Sequence, residues 1–135
     1  MKFKSDVVEQ ITIQVKNRPG VLADLCAHLS DHRINVRAMA AVDPSETGSV
    51  RLVVNDTEVA KRTLDQVELP FTSETCLAVE MPNTPGGLVG IARGLSLAGV
   101  NIEYMYGSGL AGSATALGIF GVSDLDRALA LDWED

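Results

Sequence analysis

Apolar and polar residues alternate at the end of the stretch Val7–Val15: Ile11, Ile13 and Val15 fall on one side, Gln10, Thr12 and Gln14 on the other. A period of two with β-branched residues predicts a half-buried strand. The period then changes. Leu22, Leu25, Cys26 and Leu29 recur at i, i+3, i+4 and i+7, one face of a helix running from about Gly20 to His32. Between them lies Lys16–Pro19, with Pro19 suited to the first helical position and Asn17 to a cap or turn. A strand over about Ile34–Val42, a turn-rich segment Asp43–Gly48 and a returning strand Val50–Val54 read as a hairpin. Asn55–Glu58 has the form of a capping box. It precedes a helix to about Gln66 that carries Val59, Ala60, Thr63 and Leu64, and a strand near Leu69–Ser73 closes the unit. The order is β-α-β-β-α-β, a split βαβ or ferredoxin-like pattern.

The same pattern returns. Asn17–Val42 aligns without a gap on Asn83–Ser108, at an offset of 66 residues. Asn17/Asn83, Pro19/Pro85, Gly20/Gly86, Leu22/Leu88, Leu29/Leu95, Ser30/Ser96, Asn35/Asn101 and Met39/Met105 are identical pairs. A fixed repeat means two copies of one supersecondary unit. In the second copy Cys76–Met81 is the first strand, Gly86 to about Ala98 the helix, Val100–Tyr106 and Ala114–Val122 the hairpin strands. Gly107–Ser113 is a longer, glycine-rich hairpin loop, and Ser123–Asp126 starts a final helix. The predicted fold is α+β: two ferredoxin-like units, residues 1–73 and 74–135, each an antiparallel sheet with helices on one face. The chain ends before a proper fourth strand of the second unit, so that strand is short or missing. An open sheet edge is normally covered, which predicts that a neighbouring unit or a second chain lies there. Gly90 and Gly94 each cost a helix about 1 kcal/mol relative to alanine, which predicts close packing of that face against another helix.

Composition narrows the chemistry. The formal charge is −7, and all of it lies in residues 67–135, which hold two basic and nine acidic residues; residues 1–66 hold nine of each. That distribution argues against a nucleic-acid partner. An N-terminus without an apolar core, no apolar run long enough to span a bilayer, and two cysteines without a metal-binding or disulfide pattern predict a reduced, cytoplasmic protein away from membranes. Asp24, His28 and His32 share a helix face, but the second copy has Gly90, Gly94 and Ala98 there, and a solvated face is the simpler reading; no metal or cofactor is expected. The two histidines sit on one helix and Cys76 has no evident base, so no catalytic constellation emerges.

Two N-x-P-G turns, each opening a helix, and a V/I-N-V/I strand start eighteen residues after each turn Asn make the chain resemble tandem ACT-domain proteins. The resemblance covers about residues 7–131. It implies ferredoxin-like regulatory modules that bind amino acids, often at an interface between paired domains. In the serine-binding regulatory domain of phosphoglycerate dehydrogenases, the turn Asn and an Asn starting strand two of a partner domain grip the ligand. The matching positions here are Asn17 and Asn35, and Asn83 and Asn101. That family also has a His two residues before the turn Asn; Val15 and Met81 stand there instead, so the resemblance implies an amino acid without implying serine.

The residues themselves suit a zwitterion. A helix N-terminus presents unpaired N–H groups and a favourable dipole to a carboxylate, and the amide of Asn can bond either end. The candidate ligand-binding residues are Asn83, Thr84, Pro85, Gly86, Gly87, Leu88 and Asn101 in the second copy. In the first they are Asn17, Arg18, Pro19, Gly20 and Asn35. The second copy is the stronger candidate, because Gly86-Gly87 opens its turn and Tyr104 and Tyr106 add aromatic surface nearby. The expected function is non-catalytic sensing of a small free amino acid by a homodimer. The alternative is a regulatory subunit that binds and controls a biosynthetic enzyme, as the small subunits of acetolactate synthase do.

Overall fold

The computed structural model describes residues 3–42 and 47–131; the expected hairpin turn at 43–46 and the segment 132–135 lie outside the described residues. The elements are β1 (Lys4–Lys16), α1 (Val21–Asp31), β2 (Val36–Val42), β3 (Thr47–Val54), α2 (Thr57–Gln66), β4 (Phe71–Pro82), α3 (Gly87–Leu97), β5 (Ile102–Gly109), β6 (Thr115–Val122) and α4 (Leu125–Leu129). The fold is α+β, with ferredoxin-like units.

The chain does not divide at one cut between residues 73 and 74. One unit is Glu9–Glu74; the other joins the chain up to Val8 to the chain from Thr75 onward. β1 and β4 therefore contribute residues to both. In the Glu9–Glu74 unit the strand order is β2-β3-β1-β4, with β1 and β3 antiparallel and Ile11 opposite Leu52, Ile13 opposite Val50. The N–H of Gln14 donates to the carbonyl of Pro70 at 3.2 Å, where β4 begins. Alternation sends Ile11, Ile13, Val50, Leu52 and Val54 to one face. There they meet Leu25 and Leu29 of α1 and Ala60 and Leu64 of α2, and Leu69 and Phe71 close the core.

The second unit repeats this with β5, β6 and β4, and Leu77, Val79, Met81 and Phe120 pack under Ile91 and Leu95 of α3 and Ala128 of α4. Among the described residues no strand follows α4. Its place beside β4 is taken by the start of β1, and the order reads β1-β4-β6-β5. Phe3, partly buried, packs against the core of this unit. The edge of β4 is covered in this unit by the Lys4–Val8 part of β1. On the glycine-bearing helix α3, a β-carbon on Gly90 would sit 2.9 Å from the tip of the Phe3 ring.

Three local expectations change. Pro19 is not the first helical residue. Gly20 is the cap of α1, in the left-handed region at φ 88°, ψ −13°, and the N–H of Val21 reaches the carbonyl of Arg18 at 3.4 Å. That is a type II turn, with Pro at its second position and Gly at its third. Asp56, not Asn55, caps α2, accepting from the N–H of Val59 at 3.1 Å. Asn55 instead pairs with Asn35, its Oδ1 accepting from the Asn35 N–H at 2.9 Å. And Leu69–Ser73 does not end one strand before another begins: β4 runs unbroken from Phe71 to Pro82.

In the Glu9–Glu74 unit, Lys61 on α2 forms an ion pair with Glu9 on β1. The hydrogen bond from Lys61 holds the Glu9 carboxyl below the ordinary 4.5, with smaller help from Ser73 and Thr57 against the effect of burial. The same bond raises Lys61 above 10.5. A lowered carboxylate pKa gives stability that is present above the unfolded value and lost as pH falls through the folded one. A raised ammonium pKa gives stability present below its unfolded value and lost as pH rises through the folded one. Acid titration of the melting temperature is therefore expected to fall less steeply below pH 4.5 in Glu9→Gln than in the parent. Parallel acid limbs would show that the pair carries no pH-dependent stability.

Candidate ligand-binding site

The turn found before α1 recurs before α3. Gly86 has φ 95°, ψ −13°, and the N–H of Gly87 donates to the carbonyl of Thr84 at 3.1 Å. Both N-x-P-G turns are thus type II turns that deliver a left-handed glycine to the head of a helix. The consequence for the helix is specific. The N-cap residues of α1 and α3 are Gly20 and Gly86, which have no side chain with which to cap. Asp56 caps α2 and Asp124 caps α4, the latter accepting from the N–H of Arg127 at 3.0 Å. Helix N-termini leave backbone N–H groups in need of partners, and a carboxylate suits them.

Each of these two termini borders a pocket between its turn and the adjoining hairpin. The first, about 190 Å³, is lined by Val15, Lys16, Asn17, Arg18, Val21 and Leu22 with Ala41 and Gly48–Val50. The second, about 250 Å³, is lined by Met81–Thr84 and Leu88 with Met105, Gly107–Gly109 and Ala116–Gly118. Asn83, Thr84 and Leu88 line the second pocket, and Asn17 and Arg18 the first. Pro19-Gly20 and Pro85-Gly86 shape the turns without lining either pocket.

Other candidate residues have different surroundings. Gly87 is buried, and a β-carbon on it would collide with the carbonyl oxygen of Pro82. It lets α3 seat on β4 and does not open the turn to a ligand. The amide of Asn83 donates to the carbonyls of Leu110 at 2.9 Å and Ser113 at 3.1 Å. It thereby pins the β5–β6 loop, and its Oδ1 lies where a β-carbon on Gly109 would come within 2.6 Å. Asn35 and Asn101 start from the far ends of α1 and α3 and line neither pocket. Asn101 borders an open cleft of about 390 Å³ with Ala92, Ser96 and Gly99, and its N–H donates to Ser123 Oγ at 2.9 Å. Within a unit, the two Asn of each copy are not brought together.

Tyr104 and Tyr106 pair across the ladder with Gly121 and Ile119. Alternation puts them on the face opposite Met105, away from the pocket, and Tyr104 OH is 3.3 Å from Cys76 Sγ. Among the lining residues that the sequence does not single out are those of the hairpins, such as Met105, Gly107–Gly109 and Ala116–Gly118 in one copy and Ala41 and Gly48–Val50 in the other. The sheet register was the signal that could have found them, since the strand returning from the hairpin lies beside the strand that enters the turn. Among the described residues no group of three or more His, Cys, Asp or Glu could hold a metal, and no helix is long and apolar enough to cross a membrane.

Residues 10–68 match the model of the ACT domain family. Among curated proteins none matches the chain in sequence. Among solved structures, the chain is similar to protein BT0572 from Bacteroides thetaiotaomicron, at 26% identity and a TM-score of 0.86, over 93% of this chain and 85% of that one. It is also similar in fold to the ligand-free regulatory subunit of aspartate kinase from Thermus thermophilus, at 16% identity and a TM-score of 0.68, covering 89% and 87%. The corresponding subunit from Thermus flavus gives 19% identity and 0.66, covering 96% and 93%.

Proposed function

We propose that this chain is a non-catalytic regulatory protein built from two ACT units, and that it binds a free amino acid at the N-x-P-G turns. The site beside Asn83–Leu88 is the principal one. One observation carries the reading. Of the four helices among the described residues, the two whose N-cap residue is a glycine are the two that follow N-x-P-G turns, and each borders a pocket, of about 190 and 250 Å³. The ACT match over residues 10–68 agrees with it. The amino acid's carboxylate takes the orphan N–H groups at the head of α3. Thr84 and the hairpin carbonyls surround the ammonium, and the side chain lies against Met105 and Leu88. Asn83 holds the loop that walls the site, and its Oδ1 is the group it offers a ligand. Asn35 and Asn101 enter such a site only when another unit or a second copy presents them, which is the role of the homodimer. The protein acts in a reducing, cytoplasmic setting, where the ligand is a pool metabolite.

A thermal-shift screen of the twenty amino acids tests this. Ligand at a hundred times its dissociation constant adds about 2.7 kcal/mol, which for a chain of this size raises the melting temperature by roughly 10 °C. A flat response to all twenty would overturn the reading.

A second reading is favoured by exposed apolar side chains of the second unit. Leu97 on α3 and Leu110 in the hairpin loop are 84% and 76% exposed, as a surface that docks on an enzyme would be. In that reading the chain is the regulatory subunit of a separate biosynthetic enzyme, and affinity capture with Leu97→Asp as the control distinguishes it.

A further inference from the structure

The two pockets share a backbone plan and differ in their walls. The pocket beside the NRPG turn carries Lys16 and Arg18 among its lining residues. The pocket beside the NTPGG turn has no charged side chain in its lining: its polar groups are Asn83, Thr84 and Ser108, and its larger side chains are Met81, Leu88, Met105 and Leu117. Two of those are exposed to an extent unusual for their type, Leu88 at 48% and Met105 at 37%. They come from separate elements, α3 and β5, and converge on the same opening. Met81 forms the floor and is buried. Glycines keep the walls thin: a β-carbon on Gly107 would approach the Leu117 carbonyl to 2.7 Å, and one on Gly118 would lie 2.9 Å from the Met81 methyl.

From these walls we infer that the NTPGG pocket selects an amino acid with an uncharged aliphatic or thioether side chain, of leucine, isoleucine, valine or methionine type. The inference rests on the amino-acid reading above and adds the ligand class. A charged side chain held against Met81, Leu88 and Met105 has no partner in the lining and bears the full cost of leaving water. An apolar one covers the two exposed side chains and is rewarded in proportion to the area removed from water. A thioether wall adapts to branched and unbranched side chains alike, because methionine is unbranched and readily changes rotamer. Lys16 and Arg18 set the other pocket apart and give it no part in this selection.

The full chain labelled at its methionine methyl groups provides the test, because Met81 and Met105 line this pocket and Met39 lines neither. Titration with each of the twenty amino acids is expected to move the Met81 and Met105 methyl signals with leucine, isoleucine, valine or methionine, and to leave Met39 in place. Affinity for leucine is expected to exceed that for alanine by roughly tenfold or more, and aspartate and lysine are expected to leave the two signals unmoved. Met105→Asp, at a position already partly exposed, is expected to abolish the leucine response read at Met81 while the melting temperature of the free protein stays close to the parent's. Preferential movement of Met81 and Met105 by an acidic, basic or hydroxyl amino acid would overturn the ligand class and leave the amino-acid reading standing. So would leucine binding that is indifferent to Met105→Asp. Silence at every methionine and no thermal shift with any of the twenty would overturn both.

Discussion

Gly87→Ala is expected to destabilise the protein by about 3 kcal/mol, the upper part of the range for overpacking, and to lower its melting temperature by roughly 10 °C. The residue sits at the first turn of α3, where alanine is intrinsically the better helix former by about 1 kcal/mol. Propensity alone therefore forecasts a gain. The opposing effect is larger because the added β-carbon would run into the carbonyl oxygen of Pro82. That oxygen belongs to the backbone of β4 and cannot rotate aside. α3 must lift from the sheet, and Ile91 and Leu95, both fully buried, lift with it. Gly90→Ala is the control. Its β-carbon would meet only the far end of the Phe3 ring, at 2.9 Å, and a small ring rotation relieves the contact. There the gain in propensity and the cost of packing nearly cancel, and a change within about 1 kcal/mol is expected. Thermal melts of the two variants compare them directly; equal effects would show that the seat of α3 on β4 is not as tight as the structure has it.

Removing the first eight residues is expected to have the larger effect of the two. It takes away the strand segment that stands where the missing last strand of the second unit would be, and with it Phe3, which packs against the core of that unit. Partial burial of the Phe3 ring contributes about 1 kcal/mol, and each ladder hydrogen bond lost from the side of β4 about 1 kcal/mol. The unit built from Thr75 onward is expected to melt in a separate, earlier transition, with its β4 amides exchanging faster. The Glu9–Glu74 unit holds β1 from Glu9 on and is expected to keep its own transition. Phe3→Ala should fall between parent and truncation, at a cost of about 1 kcal/mol for a partly buried ring. A truncated chain that unfolds in a single transition at the parent temperature would contradict this assignment of the N-terminal strand.

Much of the fold was legible in the sequence because the signals were periodic. The alternation of Ile11, Ile13 and Val15, the helical spacing of Leu25 and Leu29, and the gapless 66-residue offset each follow from the geometry of one element or of one repeat. What escaped depended on neighbours distant in sequence. Lys4–Val8 is a polar-looking stretch, and its strand becomes visible only beside β4. The join at Thr72–Thr75 lacks apolar alternation, so β4 looks broken there although its backbone continues. The P-G pair fits both a helix start and a type II turn; the left-handed φ of Gly20 and Gly86 decides between them.

The candidate site divides in the same way. Its turn residues were legible from the repeat. The missing side chain of Gly87 suits ligand access in the sequence, and in the fold it also leaves room for the Pro82 carbonyl. Asn83 was a candidate for gripping a zwitterion, and two of its hydrogen bonds hold the loop at Leu110 and Ser113. The hairpin walls, Met105 and Ala116–Gly118 above all, needed the register of β5 and β6 before they could be placed beside the turn.

The most direct test is the backbone amide spectrum of the whole chain, read at Leu88 and Val89 in the first turn of α3, during titration with leucine and methionine. Saturable shifts of these two amides are expected, because a carboxylate docks on the backbone N–H groups at a helix start whose N-cap residue, Gly86, has no side chain. Slower exchange of both amides in the bound state is also expected. Binding that saturates while Leu88 and Val89 stay unmoved, or no binding at millimolar ligand, would contradict the amino-acid reading.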